Sequence, residues 1–185
     1  LLTLLLIGSP LTFAATNVDT STEESEDDFG LFNVEGYRLF RYRSPTPKSS
    51  EHATTLTTSS LLELLEKDKT VVLLDVQPLL WNRVFIQNEP RLHIPGSIWL
   101  PNVGRGELEP EWETYFRSNL AAITSGNKQR PLVIYCRADC WMSWNALKRA
   151  SSWGYSALYW YRNGSDGWIE DNMDTSVATP VPFNP

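Results

Sequence analysis

Three short apolar runs constrain this chain most: residues 70–76, 131–135 and 157–161. Each is a nearly continuous stretch of Val, Leu, Ile or aromatic residues. A strand with one wet face alternates apolar and polar positions, whereas a strand covered on both faces does not. The segments between the runs have helical spacing. Residues 60–66 begin at Ser60, and Glu63 is placed to complete a capping box. In residues 111–124, Trp112, Tyr115, Phe116, Leu120 and Ile123 recur on one face, with Pro110 ahead of them and Gly126 beyond. Residues 143–153 stop at Gly154. A very short strand is expected between the Pro95-Gly96 turn and Pro101. Residues 35–43 alternate aromatic and basic side chains, as a short strand or extended arm ended by Pro45 and Pro47. The stretch up to Pro90 reads as loop, and the tail from Gly164 as turns, with Trp168 returning to the core. Strands separated by helices imply right-handed crossovers. The expected fold class is α/β, a parallel sheet of four to five strands flanked by helices on both faces.

In such sheets ligands bind at the carboxyl ends of strands. Cys136 stands there, directly after the run 131–135, and Cys140 follows four residues later. A loop of residues 137–142 is expected to lead into the helix from Ser143. A tight loop entering a helix N-terminus aims backbone N–H groups at one point, and the helix dipole adds partial positive charge. A thiolate there is stabilised, so the Cys136 pKa is expected below the free value of about 8.5. The candidate anion-binding loop comprises Arg137, Ala138, Asp139, Trp141, Met142 and Ser143. A Cys136–Cys140 bridge closes only about five residues, worth about 2 kcal/mol against about 3 for a fifteen-residue loop. A structural staple does better spanning more chain, which favours a reactive pair. The alternative is two small buried hydrophobes.

Three supporting residues stand beside them. Asp75, at a strand end, either contacts substrate or bonds to nearby backbone. His93, before the Pro-Gly turn, is either a site residue or a satisfied structural histidine. Arg105 lies in a flexible loop, residues 102–106, that either gates the site or is ordinary surface.

Charge and cysteine usage narrow the partners. The net charge is −6, but six of the 22 acids lie before Asn33, where there is no Lys or Arg, leaving 16 acids against 16 bases. The folded part is close to neutral and has no basic stripe for nucleic acid. Cys-x-x-x-Cys without a nearby His or third Cys is a poor zinc site, so no metal is expected. The absence of Cys-x-x-Cys-His excludes covalent haem. No apolar run reaches the length of a membrane span. Residues 1–7 form a short Leu-rich run, followed by Pro10 and small residues around Ala14 and Ala15. That is the pattern of a secretory signal peptide without its basic n-region. The expected organisation is a signal peptide over 1–15, an acidic disordered linker over 16–32 and one folded domain over 33–185 of an exported protein. In an oxidising compartment an exposed dithiol tends to oxidise.

Leu73-Leu74-Asp75-Val76, His93-Ile94-Pro95-Gly96-Ser97, Val133-Ile134-Tyr135-Cys136-Arg137 and the stretch from Gly154-Tyr155 to Trp168 resemble, in order, the rhodanese-like superfamily. The resemblance implies a rhodanese-like fold with Cys136 as a persulfide-bearing nucleophile. Rhodanese loops that use thiosulfate usually carry small residues and an Arg a few positions after the Cys. Here Asp139 and Trp141 occupy that region. An added negative charge and a lost cation disfavour a dianionic donor, so thiosulfate sulfurtransferase activity is not expected.

Longer runs resemble a narrower family. Gly36-Tyr37-Arg38, Tyr42-Arg43-Ser44-Pro45, Ile94 through Asn102, Cys136 through Ala146, Lys148-Arg149-Ala150, Trp160-Tyr161 and Asp166-Gly167-Trp168 are similar to the exported bacterial proteins named for PQQ-dependent catabolism and a CXXCW motif. That resemblance implies a Gram-negative periplasm and a role accompanying quinoprotein alcohol oxidation. A quinoprotein dehydrogenase or its periplasmic electron-transfer partner, a c-type cytochrome, would be the partner. No cofactor is evident, and nothing in the spacing shows PQQ binding. Trp141 and Trp144 either stack on a planar quinone or pack in the core. The expectation is a periplasmic thiol-redox or sulfur-handling protein, with Cys136 as nucleophile and Cys140 as resolving thiol. The alternative is a non-catalytic rhodanese-like binding module, which has no use for a paired thiol on an anion-binding loop.

Overall fold

The structure is a computed structural model, and it describes residues 30–185. The expected signal peptide and most of the expected linker lie outside the described residues. Packing begins ahead of residue 33: Leu31 is buried and the Phe32 ring meets Trp141 edge-on at 5.3 Å. The last two residues of the expected linker are therefore part of the fold.

The elements along the chain are β1 (Thr54–Leu56), α1 (Thr58–Lys67), β2 (Val72–Asp75), β3 (Leu80–Asn82), β4 (Val84–Ile86), β5 (Leu92–His93), β6 (Ile98–Trp99), α2 (Pro110–Thr124), β7 (Leu132–Tyr135), α3 (Trp141–Ser152), β8 (Leu158–Tyr161), α4 (Gly164–Glu170) and β9 (Ser176–Val177). Five strands make one parallel sheet in the order β1-β8-β7-β2-β6. β2 and β7 are buried along their whole length, as their uninterrupted apolar sequence requires. Alternate residues serve opposite faces. Leu74, Ile134, Cys136 and Trp160 point toward α2 and α3, where they meet Phe116, Leu120, Met142 and Leu147. Leu73, Val133, Tyr135 and Tyr161 point toward α1 and α4, where they meet Leu61 and Trp168. Fully burying one such Leu or Phe side chain contributes about 1.5–3 kcal/mol, so both faces need their helices. The architecture is the expected α/β one, with a five-stranded parallel sheet and four helices among the described residues.

Five local expectations are corrected or narrowed. The capping box of α1 is made by Thr57 and Ser60, not by Ser60 and Glu63, because Thr57 Oγ1 accepts from the Ser60 amide and Ser60 Oγ accepts from the Thr57 amide. α3 starts at Trp141, two residues early, with Cys140 as its N-cap residue. The loop that follows Cys136 therefore has four residues, 137–140, rather than six. The stretch before Pro90 contains the β3–β4 hairpin, turned at Arg83 with φ 61°. Residues 164–170 are helical, and the helix still returns Trp168 to the core. The arm before Pro45 makes no continuous strand; it pairs through single bridges, Phe32 with Arg38 and Arg43 with Cys140.

Candidate functional site

Cys136 is the first residue after β7, at the carboxyl edge of the central strand. It is joined to Cys140 by a disulfide with Cα atoms 6.2 Å apart. Both belong to the core cluster on the α2–α3 face, and their exposures are 0% and 5%. The loop between them is held from two directions. The Ser165 amide donates to the Cys136 carbonyl at 2.9 Å, and Arg137 pairs with Gly164. Gly164 has φ 57°, and a Cβ there would come 2.5 Å from the Cys136 carbonyl oxygen, so only glycine allows α4 to approach this closely.

From the other direction, residues 42–46 cross the loop as a strap. The Ser44 amide donates to the Asp139 carbonyl at 3.1 Å, and the Trp141 amide donates to the Tyr42 carbonyl at 2.9 Å. Trp141 Nε1 donates to the Pro45 carbonyl at 3.2 Å. The Asp139 carboxylate accepts from the Thr46 amide at 3.3 Å and from Arg162 Nη2 at 3.1 Å. Arg162 also donates to Thr46 Oγ1 at 3.0 Å. Farther out, Arg43 Nη2 lies 2.9 Å from Asp166 Oδ2, and Arg137 Nε lies 3.9 Å from Asp166 Oδ1.

These contacts revise the picture of an open anion cradle. The Trp141 amide, at the first turn of α3, is occupied by the strap. Met142 is in the core, and Ser143 turns inward, donating to the Cys140 carbonyl at 2.9 Å and accepting from Trp160 Nε1 at 3.0 Å. Trp141 is buried between Phe32 and Trp144, edge-on to both, with the Arg38 guanidinium 4.9 Å from its ring centroid. Ala138 is half-buried, and Arg137 is exposed. Arg105 is exposed, but residues 102–106 are not a flexible gate. The buried Asn102 amide exchanges hydrogen bonds with Leu79, at 3.2 and 2.8 Å. Asn145 and Arg149 of α3 donate to the carbonyls of Val103, Gly104 and Gly106. Burial lowers the Arg149 pKa from its ordinary value.

Asp75 and His93 do come together, in a second polar cluster. Asp75 ends β2, beside Tyr135 in register, and is fully buried. Its Oδ2 accepts from Arg91 Nε at 2.7 Å, and its Oδ1 accepts from the Gln77 amide at 3.0 Å. Arg91 also donates to Gln77 Oε1 and, at 3.4 Å, to Ser165 Oγ. His93 Nδ1 is 3.7 Å from Asp75 Oδ2 and makes no hydrogen bond. Tyr135 donates to Ser97 Oγ at 2.6 Å and accepts from the Ile94 amide at 3.2 Å. Burial, with the Asp75 charge adding to it, pushes the Tyr135 phenol far above its ordinary range. It is a neutral hydrogen-bonding group, unsuited to carrying protons near neutral pH.

Sequence reasoning missed Arg91, Gln77 and Arg162. A lone Arg or Gln in a loop carries no local mark of burial, and only their spatial neighbours distinguish them. Among the described residues, no group of three His, Cys, Asp or Glu side chains is placed to hold a metal ion, and no helix is long and apolar enough to cross a membrane.

Residues 57–171 match the rhodanese-like domain family. No curated protein matches the chain. Among solved structures, the thiosulfate sulfurtransferase from Pseudomonas aeruginosa superposes with a TM-score of 0.52 at 15% identity, over 72% of this chain and 22% of that one. The chain thus spans about a fifth of that protein. The polysulfide-sulfur transferase homodimer from Wolinella succinogenes matches at 14% identity and a TM-score of 0.43, over 69% of this chain and 81% of that one. A human single-domain sulfurtransferase matches at 22% identity and a TM-score of 0.40, over 64% and 96%.

Proposed function

This chain belongs to the rhodanese-like domain family, and from that premise we propose that it works as a thiol-redox and sulfur-handling protein through Cys136 and Cys140. One observation carries the reading: the two cysteines are bonded to each other in the loop after β7, where the family resemblance puts the sulfur-carrying residue. In the oxidised state the pair accepts two electrons. A substrate dithiol loses two electrons and two protons and closes to a disulfide, while each cysteine becomes a thiol. In the reduced state the Cys136 thiolate takes the terminal sulfur of a persulfide, releasing the donor's thiol. Attack by the Cys140 thiolate on Cys136 Sγ then expels hydrosulfide and restores the bridge. Asp139 disfavours a dianionic donor.

The proposed setting is the Gram-negative periplasm, beside PQQ-dependent alcohol oxidation, with a quinoprotein dehydrogenase or its cytochrome as partner. It rests on the sequence resemblance alone. Mass spectrometry of the protein from its native compartment should find a disulfide or persulfide at these cysteines, and Cys136→Ser should abolish its biological function. Thiosulfate and cyanide should yield no thiocyanate above background. The burial of both cysteines in the core cluster favours a second reading, a non-catalytic binding module. If Cys136→Ser retains biological function, that reading replaces the first.

A further inference from the structure

Both cysteines are buried, yet the sulfur-accepting step proposed above requires a persulfide to meet reduced Cys136. The strap, residues 42–46, lies against the loop between them at Asp139 and Cys140. We propose that the strap is a redox-coupled cover, docked on the oxidised loop and loosened when the disulfide is reduced. The inference rests on Cys136 and Cys140 being the working pair.

The strap's backbone and Trp contacts with the loop converge on Asp139 and Trp141, the two residues that flank Cys140. Asp139 has φ 49°, a left-handed conformation that a non-glycine residue adopts at some cost. The covalent ring through Cys136 and Cys140 holds it there. In that conformation its carbonyl meets the Ser44 amide and its carboxylate meets Thr46 and Arg162. Reduction replaces one covalent bond by two thiols, whose sulfurs cannot approach as closely as bonded ones. In a packed site that room must come from the loop backbone or from the strap.

The charged attachments of the strap suit release. The Arg162–Asp139 side chains are 29% and 44% exposed, and ion pairs of that kind are weak. The root of the arm is fixed by contrast: the buried Asn145 side chain accepts from the Arg38 amide at 2.9 Å and donates to the Arg38 carbonyl at 2.8 Å. Linkage makes the effect reciprocal. If the disulfide tightens strap docking by some factor, docking stabilises the disulfide against reduction by the same factor. In each turnover of the switch one dithiol is oxidised to a disulfide, and the two cysteines take up its two electrons and two protons.

Hydrogen exchange on the full chain, read by mass spectrometry, tests the coupling. In the oxidised protein the Ser44 amide is held by Asp139. After reduction with dithiothreitol it should exchange at least tenfold faster, while the amides of β2 and β7 keep their rates. In oxidised Arg162→Ala the same amide should also speed up. A loss of docking of up to about fivefold, the most such an exposed pair supplies, corresponds to a midpoint potential up to about 20 mV less negative than wild type. Equal exchange of Ser44 in the two redox states, or an unchanged midpoint in Arg162→Ala, overturns the coupling. The outcome is separable from that of the working-pair reading. Loss of function in Cys136→Ser with an unresponsive strap sinks the coupling alone. Retained function in Cys136→Ser sinks the working-pair reading whatever the strap does.

Discussion

Two charged clusters flank the Cys136 loop, and they are built on opposite plans. Asp75 and Arg91 are sealed, with side-chain exposures of 0% and 10%, and Gln77 and Ser165 complete their hydrogen bonds. Asp139, Arg162, Arg43 and Asp166 do similar pairing in contact with water. A sealed ion pair is costly to break, because the surviving charge is left desolvated, whereas a wet pair contributes little. The same sheet edge thus carries one joint that stays shut and one that can open. The first turn of α4 touches both: Ser165 accepts from Arg91 and holds the Cys136 carbonyl, and Asp166 pairs with Arg43.

The comparison predicts a graded series of effects. The largest belongs to the sealed cluster. Asp75→Ala should lower stability in chemical denaturation by about 3–5 kcal/mol, since Arg91 is left buried and unpaired. A loss below about 1 kcal/mol would mean that this cluster is no better sealed than the strap. Gly164→Ala comes next, at about 2–3 kcal/mol. Its Cβ would meet backbone rather than a flexible side chain, at a φ that strains any other residue. Unfolding midpoints decide this, and a neutral result would show that α4 can move away from the Cys136 loop.

Asn145→Ala should cost about 1–3 kcal/mol by orphaning buried backbone groups at the root of the arm. Arg162→Ala should cost less than about 1 kcal/mol in the same denaturation experiment. If Arg162→Ala is the worse of the two, the strap is anchored at its tip rather than at its root.

The smallest effect is a titration outside both clusters. Burial lowers the His52 pKa below its ordinary 6.5, with Glu51 opposing and Lys148 assisting, beside the Trp144 ring. As pH falls through 6.5 the unfolded chain binds the proton first, so stability is lost from there down through the depressed folded value. His52→Gln should flatten that slope in denaturation midpoints measured between about pH 7 and pH 5. A slope that survives the substitution assigns the titration to another group.

The parts legible in advance were those with local periodic signals. The uninterrupted runs at β2, β7 and β8 forced strands covered on both faces, and the spacing of Trp112, Phe116 and Leu120 forced α2. Cys136 was found because a strand end is visible in sequence. α4 was missed because Gly164-Ser165-Asp166-Gly167 has the composition of a turn. It is helical because packing against the Cys136 carbonyl and burial of Trp168 outweigh its poor propensity. The strap was read as the end of a short strand or extended arm, since its partners Asp139 and Arg162 lie about a hundred residues away in sequence.

The sequence alone therefore determined the layered α/β architecture, the order of the central strands and of α1 to α3, and the position of the cysteines at the sheet edge. Hydrophobic periodicity is a local property, and it dictates which face of each element must leave water. Tertiary structure decided what surrounds those cysteines. It chose which arginine is sealed against Asp75, which meets Asp139 in water, and that residues 42–46 lie over the loop. Those choices depend on desolvation and on hydrogen bonds between distant segments, and one arginine reads like another until its neighbours are in place.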